Sequence, residues 1–257
     1  MTKRYSTLFK VFTGRQAYGN SATVLLVDNL PEDNTCDLTH TDNTTVYLQS
    51  RIEGHEYEIR WFNSNGRIQR CGHGTLAAAA FLQQLYKQSA YLFHSATETL
   101  HVKILQDRYS LTLPIEKLRG NASAIFSHKR AAQTNNEKGY LIAELDSEQQ
   151  VRKFRLNPAI VESIRQRALI ITAKMSAKGS ASTIIFRYFA PQYGIEEDSA
   201  TGSAASVLWP FWNESLGKQP KNSTLLCYQA STEGGRFEIK KRAHELTVIG
   251  RVKAILE

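Results

Sequence analysis

Hydrophobic and polar positions alternate with a period of two along most of the first half of the chain. The stretches are of strand length and rich in β-branched and aromatic residues: Tyr5–Val11, Ala22–Val27, Thr45–Gln49, Tyr57–Phe62, Tyr91–Phe93, Leu100–Leu105 and Tyr109–Leu113. Turn residues such as Gly19-Asn20, Asp28-Asn29 and Asn65-Gly66 separate them, which predicts strands joined by short connections. One helical pattern interrupts the series, from Thr75 to Lys87. Its Leu76, Ala77, Ala80, Phe81 and Tyr86 spread over much of the circumference, so this helix is expected to be enclosed rather than laid on a surface.

The second half repeats the plan. Strands at Ala168–Lys174 and Thr183–Phe189 lead into a second alanine-rich helix, Ala200 to about Trp212, followed by strands near Thr224–Gln229, Gly235–Lys241 and Glu245–Val252. Pro210 is expected to bend or shorten that helix, because it lacks the donor for the preceding turn. Asn121–Gly139 is largely polar and reads as an exposed connection, after which Leu141–Glu148 and Pro158–Arg167 supply a segment and a helix. The pattern predicts two α+β units, each a curved sheet around a central helix, with a boundary near Ile115–Asn121.

Composition narrows the class. With 42% hydrophobic and 22% charged residues, the 257-residue chain reads as an ordinary globular protein with a sizeable core. It shows neither a leader pattern nor an apolar run long enough to cross a bilayer, so the expectation is a cytoplasmic protein without a membrane partner. Cys36, Cys71 and Cys227 are odd in number and widely spaced, which supports neither a disulfide framework nor a zinc site. The formal charge of +8 is spread singly or in short clusters such as Lys129-Arg130 and Lys240-Lys241-Arg242. No nucleic-acid partner is expected; the charge reads as a solvated surface that also attracts anionic substrates.

Candidate chemistry sits at the two helix starts. Cys71-Gly72-His73-Gly74-Thr75-Leu76-Ala77-Ala78-Ala79 and Asp198-Ser199-Ala200-Thr201-Gly202-Ser203-Ala204-Ala205 each place small residues and hydroxyls before an alanine-rich run. A helix start offers unpaired N–H groups and the positive end of the dipole, suited to a carboxylate. Two of them suggest a duplicated fold holding one small acidic ligand between its halves. Glycine at 72, 74 and 202 would let that ligand approach the amides. His73 can also be read as a polar residue at a helix start, Asp198 as a cap, and Thr201 and Ser203 as hydroxyl caps. Cys71 reads as a small buried hydrophobe, and Trp209, Phe211 and Trp212 as core or dimer interface.

The run Arg187-Tyr188-Phe189-Ala190-Pro191-Gln192-Tyr193-Gly194-Ile195-Glu196-Glu197-Asp198-Ser199-Ala200-Thr201-Gly202-Ser203-Ala204 resembles the signature of the PhzF phenazine biosynthesis-like family, within the diaminopimelate epimerase-like superfamily. Val11-Phe12-Thr13 with Gly19-Asn20, the Cys71–Ala78 motif, and Gln229 with Gly235-Arg236 add to the resemblance in the same order. It implies two similar domains, residues 1–115 and 116–257, each a β-barrel-like sheet around a central helix, with the C-terminal residues able to pack back on the first. It further implies proton transfer at a carbon of a small acid, without cofactor or metal, in a homodimer. By the same resemblance His73 and Asp198 match active-site positions, and Ser203 matches a substrate-contacting hydroxyl. Asn20, Gly72, Gly74, Thr75, Thr201 and Gly202 join it as substrate-binding candidates.

One departure stands out. The family's Ser-Glu-Thr segment supplies a glutamate base, and alignment on Thr44-Thr45-Val46-Tyr47 places Asp42-Asn43 there, with Asn43 at the glutamate position. An amide is not a usable base. Three readings follow. Asp42 takes over, or His73 and Asp198 suffice, in a PhzF-like isomerase. Alternatively Cys71 is the base, with Thr201 at the second position as in single-cysteine dehydratases of the superfamily, its thiol activated by the helix start. In the third reading catalysis is lost and a small-acid-binding relative remains.

Overall fold

The computed structural model describes residues 5–32, 44–119, 130–164, 166–175, 182–215, 224–242 and 245–255. In chain order its elements are β1 (Tyr5–Val11), β2 (Asn20–Leu26), β3 (Thr44–Ile52), β4 (Glu56–Asn63), β5 (Gly66–Ile68), α1 (Gly72–Tyr86), β6 (Ala90–His94), β7 (Thr99–Leu105) and β8 (Arg108–Leu113). There follow β9 (Leu118–Arg119), β10 (Ala131–Thr134), β11 (Tyr140–Glu144), α2 (Glu148–Lys153), α3 (Pro158–Ile164), β12 (Ala168–Lys174) and β13 (Ser182–Phe189). The chain continues through α4 (Ala205–Ser215), β14 (Thr224–Gln229), β15 (Gly235–Arg242) and β16 (Glu245–Ile255). Two compact units result: unit 1 comprises Met1–Thr112 and Ile249–Glu257, and unit 2 comprises Leu113–Val248.

In unit 1 the strands run in the order β1-β2-β3-β4-β6-β7-β8-β16, and β16 pairs back onto β1 with Leu8 opposite Ile255 and Val11 opposite Val252. The sheet therefore closes on itself, which removes its edges. Helix α1 fills the interior. Ten of its fifteen residues are buried, including every one from Gly74 to Leu82. Four consecutive alanines give high helix propensity and a thin cylinder that can be surrounded. The helix ends at Lys87, whose left-handed backbone (φ 53°) lets its N–H reach the Gln83 carbonyl.

Unit 2 repeats this wiring. In unit 1, β2 and β3 are parallel, β3 and β4 antiparallel, and α1 is the crossover that brings β6 parallel to β4. In unit 2, β11 and β12 are parallel, β12 and β13 antiparallel, and α4 is the crossover to β14, parallel to β13. Strand β12 is buried from Ala168 to Ala173 without alternation. Its Leu169, Ile171 and Ala173 pack with Val151 of α2 and Ile164 of α3, while Thr172 accepts the Trp212 indole N–H at 3.2 Å from α4. A strand covered on both faces has no polar phase to show.

Four expectations need correction. Helix α1 begins at Gly72 rather than Thr75, because Cys71 in extended conformation caps it through its side chain, which puts His73 inside the first turn. The second helix begins as a 3-10 turn, Gly202–Ala204, and becomes α-helical only at Ala205. Pro210 does not shorten it: the helix reaches Ser215, and the Ser206 carbonyl that Pro210 cannot serve accepts the Glu116 N–H at 3.0 Å. The connection 121–139 is not wholly exposed, since Ala131–Thr134 form β10. There the Thr134 hydroxyl accepts the Tyr140 N–H at 2.8 Å, so a polar strand satisfies itself locally. Helix α2 had no counterpart in the sequence pattern, and the Pro31–Thr41 segment lies almost wholly outside the described residues.

Both Cys71 and Cys227 are free and buried, and burial pushes the Cys227 thiol up. Trp209, Phe211 and Trp212 are buried in unit 2, with the Arg130 guanidinium 3.8 Å over the Phe211 ring. Among the described residues no helix is long and apolar enough to cross a membrane.

Closure of unit 1 leaves little slack where β16 passes Phe12. This residue is fully buried in a left-handed conformation (φ 66°), and a Cβ on Gly250 would overlap its ring. Neither the backbone nor the ring can yield cheaply. Gly250→Ala is expected to destabilise the protein by about 1–3 kcal/mol, the usual penalty of overpacking, measurable as a lowered urea midpoint; an unchanged midpoint would show that the ring relocates freely.

Candidate active site

Unit 1 presents its chemistry at the start of α1. The peptide geometry of a helix leaves first-turn N–H groups without intrahelical partners, and here Cys71 meets one of them: its Sγ accepts the Gly74 N–H at 3.4 Å. The Thr75 hydroxyl donates to the Cys71 carbonyl at 2.8 Å and is fully buried, so it shapes the helix start. Packing alone already calls for glycine at 74. A Cβ there would lie 2.8 Å from Trp61 Cδ1, 3.0 Å from Cys71 Sγ and 3.1 Å from Val46 Cγ2. Gly72 is the first helical residue and buried.

His73 points its half-buried imidazole at two neighbours. Nε2 lies 3.1 Å from the Thr44 hydroxyl, and Cys71 Sγ lies 3.5 Å from Nδ1 and 3.7 Å from Nε2. Thr44 opens β3 and directly follows Asn43. Asp42 and Asn43 themselves lie outside the described residues. Asn20 opens β2 opposite Val11 and accepts the Ser21 N–H at 2.9 Å through its side chain.

In unit 2 the chain folds back along β13 before the helix. Ala190 bridges Ile195, Pro191–Tyr193 form a 3-10 turn, Gly194 takes a left-handed conformation (φ 71°), and the Asp198 N–H reaches the Tyr188 carbonyl at 3.1 Å. This return explains the ten-residue spacing of Arg187 and Glu197. The guanidinium clasps the carboxylate through two hydrogen bonds of 2.6 and 2.7 Å, and its Nη1 donates to the Phe154 carbonyl at 2.7 Å, where α2 ends. A cation at a helix C-terminus is favoured by the dipole.

Beyond that clasp, Asp198 accepts a short hydrogen bond from the Thr201 hydroxyl. Gln229, the last residue of β14 and 0% exposed, holds both residues: its Oε1 accepts the Thr201 N–H at 2.7 Å and its Nε2 donates to the Asp198 carbonyl at 2.6 Å. Its Nε2 also lies 3.3 Å from the Thr201 hydroxyl oxygen. Gly235 packs under Ala200, where a Cβ would come within 2.6 Å of the Ala200 side chain. Thr201 occupies the cap position of the 3-10 turn, yet its side chain makes no capping bond to the backbone; the hydroxyl serves Asp198 instead, which corrects the capping expectation. Gly202 and Ser203 lie within that turn, and the Ser203 carbonyl accepts the Ser206 hydroxyl at 2.8 Å. The Tyr188 phenol is pushed up well above its ordinary value by burial, with Tyr140, Asp198 and Tyr193 adding to the effect.

The structure thus assembles Cys71, His73 and Thr75 in unit 1, and Asp198, Thr201, Gly202 and Ser203 in unit 2. Thr44, Tyr188 and the strut role of Gln229 were not read from the sequence. Gln229 carried a signal: in Thr224–Gln229 the buried phase is Leu225, Cys227 and Gln229, and a polar residue on a buried phase needs a polar partner. Among the described residues no group of three or more His, Cys, Asp or Glu side chains could hold a metal ion.

A family model described as phenazine biosynthesis-like protein matches residues 115–254. An uncharacterized isomerase of Vibrio cholerae is 31% identical over 96% of this chain and 87% of its own length. A mouse phenazine biosynthesis-like domain-containing protein is 28% identical over 90% of this chain and 89% of its own. Among solved structures, a PhzF-family protein of Enterococcus faecalis superposes with a TM-score of 0.76 at 22% identity, covering 98% of this chain and 96% of that one. A hydroxyproline epimerase of Agrobacterium vitis shares the fold more distantly, with a TM-score of 0.59 at 11% identity, over 100% of this chain and 92% of that one.

Because Arg187 is buried and its partner Glu197 half-buried, removing one of the two leaves a poorly solvated charge without its counterpart. Arg187→Leu is expected to destabilise the protein by about 3–5 kcal/mol, whereas Arg187→Leu with Glu197→Leu loses less. Thermal unfolding of the single and double variants checks this; equal losses would show that the two groups do not act as a pair.

Proposed function

Since the chain belongs to the phenazine biosynthesis-like family, we propose that it is an isomerase that moves a proton at a carbon of a small carboxylic or amino acid, with no resident cofactor. One observation carries the reading. Each unit begins its central helix beside a side chain able to exchange a proton, His73 in unit 1 and Asp198 in unit 2, and each side chain is tied to a hydroxyl, Thr44 or Thr201. The name isomerase carried by the Vibrio cholerae relative supports the reading.

Proton transfer on carbon needs a base, an acid and dipoles that hold negative charge as it develops. Imidazole can serve in either direction near neutral pH. The N–H groups at the helix starts supply the dipoles, and the net charge of +8 favours arrival of an anion. The missing glutamate shifts the burden of base to His73, with Asp198 or Asp42 as the carboxylate partner. Asn43 directly precedes the residue that hydrogen-bonds His73.

A second reading makes Cys71 the base, and the 3.5 Å approach of its Sγ to His73 Nδ1 favours it. Against it, the thiol is 5% exposed and already accepts a backbone N–H, which fits a cap better than a group that must meet a C–H bond.

The test is solvent-deuterium exchange into small carboxylic and amino acids, followed by NMR. Wild-type protein is expected to exchange a C–H of one of them, with losses of about 10²- to 10⁴-fold in His73→Gln and Asp198→Asn. A comparable loss in Asp42→Ala would make Asp42 the base, and loss in Cys71→Ser would favour the second reading. Undiminished exchange in His73→Gln sinks the proposal. So does an acid that raises the melting temperature while none is turned over, the behaviour of a binding relative without catalysis.

A further inference from the structure

We propose that Gln229 turns the Thr201 hydroxyl so that its hydrogen points to Asp198, which makes Gln229 a positioning residue for that carboxylate. The inference rests on the reading of Asp198 as a proton-transferring group. The chemistry of the partners fixes which way round the amide lies. Its Oε1 meets the Thr201 N–H at 2.7 Å, a group that can only donate, and its Nε2 meets the Asp198 carbonyl at 2.6 Å, a group that can only accept. Turned over, the amide would set donor against donor and acceptor against acceptor.

Nε2 carries two hydrogens, and the second is donated to the Thr201 hydroxyl oxygen at 3.3 Å. A hydroxyl has one hydrogen to give. With its oxygen accepting from Gln229, Thr201 directs that hydrogen to Asp198 Oδ2. The order runs one way, amide to hydroxyl to carboxylate, and ties the aspartate by its main chain and its side chain together. The loop backbone has supports that do not involve Gln229: the Asp198 N–H reaches the Tyr188 carbonyl at 3.1 Å, and the Ser199 carbonyl accepts the Ser231 hydroxyl. Those contacts hold the chain, whereas the Nε2 hydrogen aimed at Thr201 acts on the Asp198 side chain. A group that exchanges a proton with carbon must be held to within a fraction of an ångström.

The test compares the full-length wild type with Gln229→Glu, which keeps an oxygen for the Thr201 N–H but replaces the nitrogen and its two hydrogens by a second oxygen. In the 13C- and 15N-labelled wild type, NMR should show the Thr201 hydroxyl proton in slow exchange with water and correlated across its hydrogen bond with Asp198 Cγ. In Gln229→Glu that correlation should weaken at least about tenfold, the equivalent of one lost hydrogen bond, and pass to the new carboxyl carbon at position 229. For an acid that the wild type exchanges, kcat should fall about 10- to 100-fold while KM changes less than about threefold. A merely structural Gln229 would lower the melting temperature and leave the hydroxyl on Asp198. The proposal is overturned by a correlation or a kcat that is the same in both proteins. If Gln229→Glu does not fold, the wild-type spectrum decides: a hydroxyl proton correlated with Gln229 instead of Asp198, or in fast exchange with water, contradicts the order. The hydroxyl signals are read without turnover, so a wild type that exchanges no acid sinks the isomerase reading alone.

Discussion

Gln229 sits at the end of β14, fully buried, and gives both faces of its amide to the loop that enters the second helix. A buried amide without partners would cost several kcal/mol, and so would the Thr201 N–H and Asp198 carbonyl that it serves. The loop can therefore take only conformations that keep all three satisfied. The position of Asp198 follows from that requirement, with the Arg187 and Glu197 pair fixing the same loop one residue upstream.

The two units meet this requirement with different chemistry on the same wiring. Both place a helix as the crossover between parallel strands, β4 to β6 and β13 to β14. At α1 the first-turn Gly74 N–H is met locally, by the thiol of the cap residue Cys71. At α4 the Thr201 N–H is met from outside, by Gln229 across 28 residues of sequence, and the first turn tightens to 3-10 geometry. The two units share this topology while each pairs polar groups at its helix start in its own way.

Much of this was legible in the sequence because period-two patterns and alanine runs are local. Strands β1, β12 and β14 have the predicted boundaries, and the two glycine-rich motifs stand at helix starts as their pattern predicts. What was not legible depends on partners distant along the chain. Pro210 is tolerated inside α4 because Glu116 supplies the missing hydrogen bond, and nothing near Pro210 announces it. At Gly74 the atom that a side chain would meet first belongs to Trp61, thirteen residues away, and nothing near Gly74 announces it. The pattern places the start of α1 late, at Thr75 rather than Gly72, because a cysteine cap is a weak local signal compared with serine or aspartate.

Amide hydrogen exchange at Thr201 tests most directly whether buried struts hold the helix starts. The N–H should exchange as slowly as the core amides of β14 in the wild type, and about 10- to 100-fold faster in Gln229→Met, where the acceptor is removed with little change in volume. A Thr201 amide that exchanges like an exposed loop in the wild type, or at the same rate in both proteins, would contradict the account.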